Sequence, residues 1–447
     1  MKRKIINKLK EWKKTSKGKT AALVVGMRRV GKSYAVEEFA KSFYKSYIIV
    51  DFSRVGTEVK DLFSSPTDDL DSFFVMLQNY FNVELFEKES VIIFDEVQQF
   101  PRARELVKFF VADGRYDYIE TGSLMSIKEN TKDIVIPSEE REIAMTPMDF
   151  EEFLWAIGEE RTFEIVRFAF KTKKPLGQAM HRKLMTLFRQ YIIVGGMPQA
   201  VLEYAKNRNL KHVDSIKRDI LKLYRNDIYK HGGKDTLHIE QIFDELPSQL
   251  SHANKRFMFS SLSSVARYRE YEEALLWLSE SMIVNLCFNT TEPTVGLSTR
   301  KDIASFKCYQ ADTGLLISQT FDQKEMARDE IYKKLLFNKL EFNNGMIVEN
   351  IVAQMLVNSE HKLYFYSESE DRMEIDFLIT KDKITSRHNI SPIEVKSSKN
   401  YSTTSLDKFR EKYSQQTGIS YILHDGDIKL EDDNKVVYLP LYMAGLL

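Results

Sequence analysis

The pattern of apolar positions divides the chain into an alternating first part, a helical middle and a mixed last part. Three short apolar runs in the first part predict buried strands at 22–25, 47–50 and 91–94, and the stretch 116–123 predicts the next strand. Segments with helical spacing lie between them, at 34–43 and 67–82. Buried strands that alternate with helices predict a parallel α/β sheet.

Helical spacing dominates residues 147–232, including one long helix over 212–230. Its apolar seam is expected to point inward and its Lys and Arg side chains outward. The following segment predicts three helices and a strand, with the size of a helix-turn-helix: 239–250, 261–267, 271–279 and 282–288. The strand is expected to pair with a later one at 306–309 as the wing of a DNA-binding winged helix. The helix that would enter the groove carries three glutamates against one arginine, so a structural or protein-contact role explains it as well.

The first strand leads into the one motif that organises the chain. It ends at a glycine, and the pattern G-x-x-x-x-G-K-[ST] then runs into a helix, which is the arrangement of a P-loop. Backbone N–H groups of such a loop face a phosphate, and the helix N-terminus adds positive partial charge. Lys32 is expected to reach the β- and γ-phosphates of ATP, and the Ser33 hydroxyl to coordinate Mg2+. We therefore predict that ATP is contacted by Gly26, Met27, Arg28, Arg29, Val30, Gly31, Lys32, Ser33 and Tyr34.

A second nucleotide motif follows about 60 residues later. Four apolar residues end in Asp95 and Glu96, which is the Walker B pattern. Asp95 at the strand end would hold the Mg2+ shell. Glu96 would orient and deprotonate the attacking water. A strand that ends in acids by chance is the alternative, and the preceding P-loop argues against it.

A third set of candidate residues lies near the C-terminus. Glu349 falls on a predicted helix, Asp376 on a strand, and Glu394 and Lys396 on the next strand, where positions two apart share a face. The set resembles the PD-(D/E)XK nuclease pattern, although Ile375 replaces the usual proline before the aspartate. That resemblance implies Mg2+ on Asp376 and Glu394, with the Val395 carbonyl as a third ligand and Glu349 completing the shell. Lys396 would then assist the nucleophile. An ion-paired strand surface and an inactive nuclease fold are the alternatives.

Together these motifs resemble a group of prokaryotic AAA+-like ATPases that carry a C-terminal domain of unknown function. Further stretches that contribute to the resemblance begin at Thr121, Thr146, Gly195 and Tyr309. It implies that Thr121 is a "sensor" for the γ-phosphate or the water, with Ser123 as the other candidate and a plain strand-end turn as the alternative.

The sequence departs from the family where a Gly-Arg pair is usual. Arg141 keeps the charge, but Glu140 replaces the glycine. The resemblance implies that Arg141 completes an ATP site, in its own chain or in a neighbour. A surface ion pair with the flanking glutamates explains it too.

Composition narrows the partners. With 65 basic and 65 acidic residues the net charge is zero, so any nucleic-acid surface must be local. Residues 1–19 and 206–234 each contain nine Lys or Arg, and either can contact phosphates or form a solvated helix face. Two cysteines, no 18-residue apolar run and no secretory h-region predict a cytoplasmic protein without a membrane span.

We therefore expect an α/β protein with four parts. These are a P-loop AAA+-like ATPase core at 1–150, a helical lid at 151–235, a winged-helix-like segment at 236–320 and a restriction-endonuclease-like domain at 321–447. Two functions remain open. One is an ATPase that controls a nuclease acting on DNA or another nucleic acid. The other is an ATP-gated DNA-binding or scaffold protein with an inactive nuclease fold. A homo-oligomer is compatible with both.

Overall fold

The computed structural model describes residues 1–64, 69–123, 138–252, 255–321, 325–336, 344–368, 373–381, 383–398, 400–431 and 435–447. They form two compact units, Met1–Thr146 with Glu280–Met282, and Pro147–Ser279 with Ile283–Leu447. The first unit ends close to the predicted boundary at 150. The predicted lid, winged-helix and C-terminal segments belong to the second unit, apart from Glu280–Met282.

The first unit alternates helices and strands, as the apolar pattern predicts. Its helices are α1 (Ile5–Ser16), α2 (Lys32–Phe43), α3 (Thr57–Ser64), α4 (Leu70–Phe81) and α5 (Pro101–Asp113). Its strands are β1 (Ala21–Val25), β2 (Ser46–Asp51), β3 (Ser90–Asp95), β4 (Asp117–Gly122) and β5 (Glu140–Ala144).

All five strands are parallel, in the order β2-β3-β4-β1-β5. The sheet is therefore the parallel α/β sheet that the sequence predicts. Every residue of β1 and β3 is buried, which is why these strands read as continuous apolar runs. Because β4 lies between β1 and β3, its carboxyl end falls between the P-loop and Asp95.

The second unit contains the remaining elements. Its helices are α6 (Phe150–Ala156), α7 (Thr162–Thr172), α8 (Gln178–Val194), α9 (Pro198–Asn207), α10 (Leu210–His231), α11 (Thr236–Ser251), α12 (Tyr268–Glu280), α13 (Thr313–Thr320), α14 (Glu325–Leu336), α15 (Asn344–Asn358) and α16 (Thr404–Lys412). Its strands are β6 (Val284–Thr290), β7 (Lys301–Gln310), β8 (Tyr364–Glu368), β9 (Met373–Thr380), β10 (Ile390–Val395), β11 (Ser420–His424), β12 (Lys429–Glu431) and β13 (Val436–Pro440).

These eight strands form one mixed sheet in the order β12-β13-β11-β10-β9-β8-β6-β7. β6 and β7 pair antiparallel, as expected of the wing, but β6 also pairs with β8. The sheet therefore continues across the boundary predicted between residues 320 and 321.

Two local predictions in this unit are wrong. Residues 261–267 are not a helix, since a single 3-10 turn (Phe259–Ser261) and further turns lead into α12. The basic side chains of α10 do not all point outward. Lys217 is buried and its Nζ donates to the Ile193 carbonyl at 2.7 Å, because the helix is packed on more than its apolar seam.

Tight backbone packing explains the Gly195-Gly196 pair that contributed to the family resemblance. Gly195 has φ of 81°, and a Cβ there would lie 2.3 Å from the Asp312 carboxylate. That carboxylate accepts hydrogen bonds from the Gly196 and Leu315 backbone N–H groups. The pair therefore joins the end of α8 to the start of α13.

Membrane-spanning character is absent from the described part of the chain, where no helix combines the length and apolarity that a bilayer requires.

Candidate functional site

The P-loop connects β1 to α2 as the motif predicts. Gly31 has φ of 95° at the N-terminus of α2, a conformation that favours glycine. Val30 and Met27 are buried, whereas Arg28, Arg29, Ser33 and Tyr34 are exposed. The predicted ATP-contacting residues therefore form one continuous loop and helix start.

Lys32 is folded back into this loop. Its Nζ donates to the carbonyl oxygens of Gly26 at 2.8 Å and Met27 at 3.2 Å, and the side chain is almost fully buried. Burial lowers the pKa of Lys32, while the carboxylates of Glu96 and Asp95 oppose that shift. The lysine is thus held by neutral acceptors at the place where the motif puts a phosphate.

The hydroxyls of Ser33 and Thr121 both bind one carboxylate oxygen of Asp95. The Ser33 hydroxyl donates to Asp95 Oδ1 at 2.9 Å, and the Thr121 hydroxyl donates to the same oxygen. A hydroxyl and a carboxylate are hard oxygen ligands of the kind that Mg2+ takes. The residues present therefore fit the predicted metal at Ser33 and Asp95.

Glu96 follows directly in a left-handed backbone conformation, with φ of 52°. Its backbone N–H points to the Thr121 hydroxyl at 3.5 Å, and its carboxylate accepts from the Gln98 side-chain amide at 2.5 Å. The structure therefore places Thr121 between the two acids, whereas Ser123 lies beyond the end of β4. Sequence reasoning did not identify Gln98, although it lies only two residues after the acid.

Arg3 is a second residue that the sequence did not single out. It belongs to the basic N-terminal stretch, yet it is buried and donates to the carbonyl oxygens of Val30 at 2.9 Å and Thr146 at 2.7 Å. Its guanidinium therefore stabilises the P-loop backbone through the Val30 carbonyl.

Arg141 is not brought to this site within its own chain. It lies near the amino end of β5, opposite Ala22, whereas the P-loop leaves the carboxyl end of β1. Its guanidinium donates to the Thr15 hydroxyl at 3.0 Å. Its neighbour Glu140 instead forms a buried, two-bond ion pair with Arg104. A role for Arg141 in a neighbour's site stays a prediction.

The second candidate site lies in the other unit. Val395 N–H donates to Asp376 Oδ2 at 2.8 Å across the antiparallel β9–β10 pair, and Glu394 accepts from Lys396. Burial and then the Asp376 charge raise the pKa of Glu394 to about 8, against the opposing Lys396. Burial and the Glu349 charge likewise raise the pKa of Asp376.

Glu349 reaches the same place from α15. Its two oxygens accept from Lys255 Nζ at 2.5 Å, from Lys307 Nζ at 3.1 Å and from the Tyr309 hydroxyl. Burial would raise its pKa, but the Lys307 and Lys255 charges lower the pKa of Glu349 to about 2. The next residue, Asn350, exchanges two hydrogen bonds with the Gln310 backbone, which fixes α15 on β7.

Lys307 is the central residue of this cluster, and sequence reasoning missed it. Its Nζ lies 2.9 Å from Glu374, 3.1 Å from Glu349 and 3.8 Å from Asp376. The stretch 306–309 was interpreted only as a wing strand, but its polar residues alternate, which places Lys307 and Tyr309 on one face.

The assignment of a nuclease metal to Asp376 and Glu394 stays a prediction. Throughout the described ranges, no three His, Cys, Asp or Glu side chains are placed to hold a metal ion. Lys307 Nζ lies beside Glu349 and Asp376, whereas Glu394 pairs with Lys396.

The two stretches proposed for nucleic-acid contact, α12 and the basic helix α10, have the following surroundings. The exposed face of α12 carries Glu270, Glu272 and Glu273 beside Arg269. In α10, Arg218 is tied to Asp214 and the Phe321 carbonyl, and Arg225 to Asp244. Lys217, Arg218 and Arg225 of the second basic stretch are therefore engaged within the unit.

Three segments of the chain match known protein families. Residues 18–154 match an AAA domain, residues 185–325 a domain of unknown function (DUF8612) and residues 344–443 another domain of unknown function (DUF4143). No curated protein matches the chain.

Several solved structures resemble the chain at low identity. The Walker-type ATPase PABY2304 of Pyrococcus abyssi has a TM-score of 0.44 and 14% identity, covering 71% of this chain and 94% of its own. The Thermotoga maritima RuvB Holliday junction branch migration motor has a TM-score of 0.28 and 11% identity, covering 64% and 89%. Cdc6p from Pyrobaculum aerophilum has a TM-score of 0.26 and 10% identity, covering 75% and 94%.

The match of residues 18–154 to an AAA domain agrees with the P-loop geometry, and the first unit resembles a P-loop ATPase. The nuclease-like identity of the C-terminal part stays a prediction, since its matching family has no assigned function.

Proposed function

We propose that this protein binds and hydrolyses ATP with Mg2+ and that its nucleotide state controls the C-terminal domain. The observation that carries the first part is the convergence of Ser33, Asp95 and Thr121 beside the buried Lys32. An AAA domain with Ser33 in the first turn of α2, Asp95 at the end of β3 and Thr121 near the end of β4 has the parts that phosphoryl transfer needs.

Each residue has a separate role in this proposal. The loop N–H groups and Lys32 bind the β- and γ-phosphates, and Ser33 and Asp95 hold the Mg2+. When bound, the ion neutralises charge that develops on the phosphate oxygens. Glu96 accepts a proton from the attacking water, while Gln98 and Thr121 orient the Glu96 side chain and backbone.

The test is Glu96→Gln, which keeps the shape of the side chain and removes its basicity. We expect turnover to fall about 100-fold, on the scale of one general base, with ATP still bound. Nucleotide affinity is measured by fluorescent ATP binding and turnover by phosphate release. Glu89→Gln, an exposed acid of the same unit, is the matched control. Unchanged turnover in Glu96→Gln would reject the assignment.

For the C-terminal domain, the contacts favour a binding or scaffold role over cleavage. Both acids that a nuclease would use for its metal already have a lysine beside them, Lys307 at Asp376 and Lys396 at Glu394. The test is cleavage of DNA and RNA with Mg2+ or Mn2+, with and without ATP, beside Asp376→Ala. Cleavage that disappears in Asp376→Ala would establish the nuclease instead.

A further inference from the structure

The C-terminal cluster has a cation of its own, built into the chain. Lys307 lies on β7, is 1% exposed and has carboxylates of three residues within 4 Å of its Nζ. The Phe365 ring covers it from another side, with the centroid 5.0 Å from Nζ. A buried ammonium needs such partners, because desolvation would otherwise expel its charge.

A second lysine adds to the positive charge at Glu349. Lys255 Nζ lies 2.5 Å from the Glu349 oxygen that Lys307 does not use, and the Tyr309 hydroxyl donates to the other oxygen. Lys255 and Lys307 together supply two positive charges, which equals the charge of one divalent ion.

The distances around Lys307 Nζ suit an ammonium at that position and not a metal ion. The oxygens of Glu374 and Glu349 lie about 3 Å from Lys307 Nζ, the length of N–H···O hydrogen bonds. Mg2+ needs oxygen ligands at about 2.0–2.1 Å in an octahedron. An ion on the two predicted ligands would face the ammonium of Lys307, which lies 3.8 Å from Asp376, and that of Lys396, which pairs with Glu394.

We propose that this cluster excludes divalent metal, and that Lys307 with Lys255 takes the place of the ion that the nuclease-like pattern implies. The cluster then stabilises the packing of α15 against β7 and β9 and leaves the domain without a metal-dependent nuclease centre. This inference rests on the proposed non-cleaving role of the C-terminal domain. It is tested on the nucleotide-free protein, so its failure would leave the ATPase proposal intact.

The experiment measures Mn2+ binding to the nucleotide-free full chain by electron paramagnetic resonance, counting only binding that Asp376→Asn removes. We expect no such binding in the wild type. Lys307→Met keeps most of the side-chain volume, and should gain this binding with at least about tenfold higher affinity, because one unit charge is removed. Lys301→Met, an exposed lysine on the same strand, is the matched control and should behave as the wild type.

Thermal unfolding gives a second readout. Mn2+ should raise the melting temperature of Lys307→Met but not that of the wild type. If the single variant fails to fold, Lys307→Met with Glu349→Gln removes one charge of each sign and answers the same question. Wild-type Mn2+ binding that Asp376→Asn abolishes, or a Lys307 variant without Mn2+ response, overturns the proposal.

Discussion

Lys32 and Lys307 are both buried lysines beside carboxylates, yet they are held in opposite ways. Lys32 donates to two neutral carbonyl oxygens of its own loop, and burial lowers its pKa. Lys307 is surrounded by carboxylates, which raise its pKa against the effect of burial. A phosphate would give Lys32 a negatively charged partner in place of two neutral carbonyl oxygens. Lys307 is already surrounded by carboxylates. In our proposals, Lys32 binds the phosphates of ATP, whereas Lys307 takes the place of a metal ion.

The largest expected effect is on the stability of the second unit. Lys307→Met should reduce the free energy of unfolding by about 3–5 kcal/mol, because removing one partner of a buried ion pair leaves uncompensated charge. Chemical denaturation measures the change, and the exposed Lys301→Met should stay within about 0.5 kcal/mol. A loss of unfolding free energy no larger than that of the control would show that the ion pairs of Lys307 do not stabilise the unit.

The reverse pattern is expected at Lys32. Lys32→Met should reduce ATP turnover by about 100- to 1000-fold, the scale of one charge-stabilising group, with little change in the free energy of unfolding. Phosphate release and denaturation are measured on the same preparation. Lys41→Met, an exposed lysine on the same helix, is the control. Turnover that survives would contradict the P-loop role.

A pH effect of intermediate size should come from Glu394. Its folded pKa is raised from 4.5 to about 8, so between those values the folded protein keeps a proton that the unfolded chain has lost. The free energy of unfolding should therefore fall as pH rises through this window, by at most about 1.4 kcal/mol per pH unit.

Glu394→Gln should flatten this slope, and denaturation between pH 5 and pH 8 tests it. Glu411→Gln, an exposed acid on α16, should leave the slope as it is. A slope that persists in Glu394→Gln would assign it to another group.

The smallest effect is expected at Arg141. Because its guanidinium donates to Thr15 away from the P-loop, Arg141→Ala should change turnover by less than about twofold in dilute protein. Turnover is compared over a range of protein concentrations, beside the Thr15→Ala control. A large loss that appears only at high concentration would instead support a role in a neighbouring chain.

Sequence reasoning was most successful where chemistry and local structure share a short stretch. The P-loop, Asp95 and Glu96 could be placed because a strand end fixes each of them within a few residues. It failed at residues 261–267 and Lys217, where local spacing was overruled by packing. Arg3, Gln98 and Lys307 were not identified because what matters about them is their partners.

The order of residues was sufficient to predict a parallel α/β domain with a phosphate loop and a metal-binding strand end. Apolar periodicity and a contiguous motif carry that information locally. Folding alone brought Lys307 and Lys255 to Glu349, across 42 residues in the case of Lys307. The charge of a carboxylate is written in the sequence, but whether it meets a metal or an ammonium depends on which distant strand packs beside it. In this protein the strand that carries Lys307 brings an ammonium to Glu349 and Asp376.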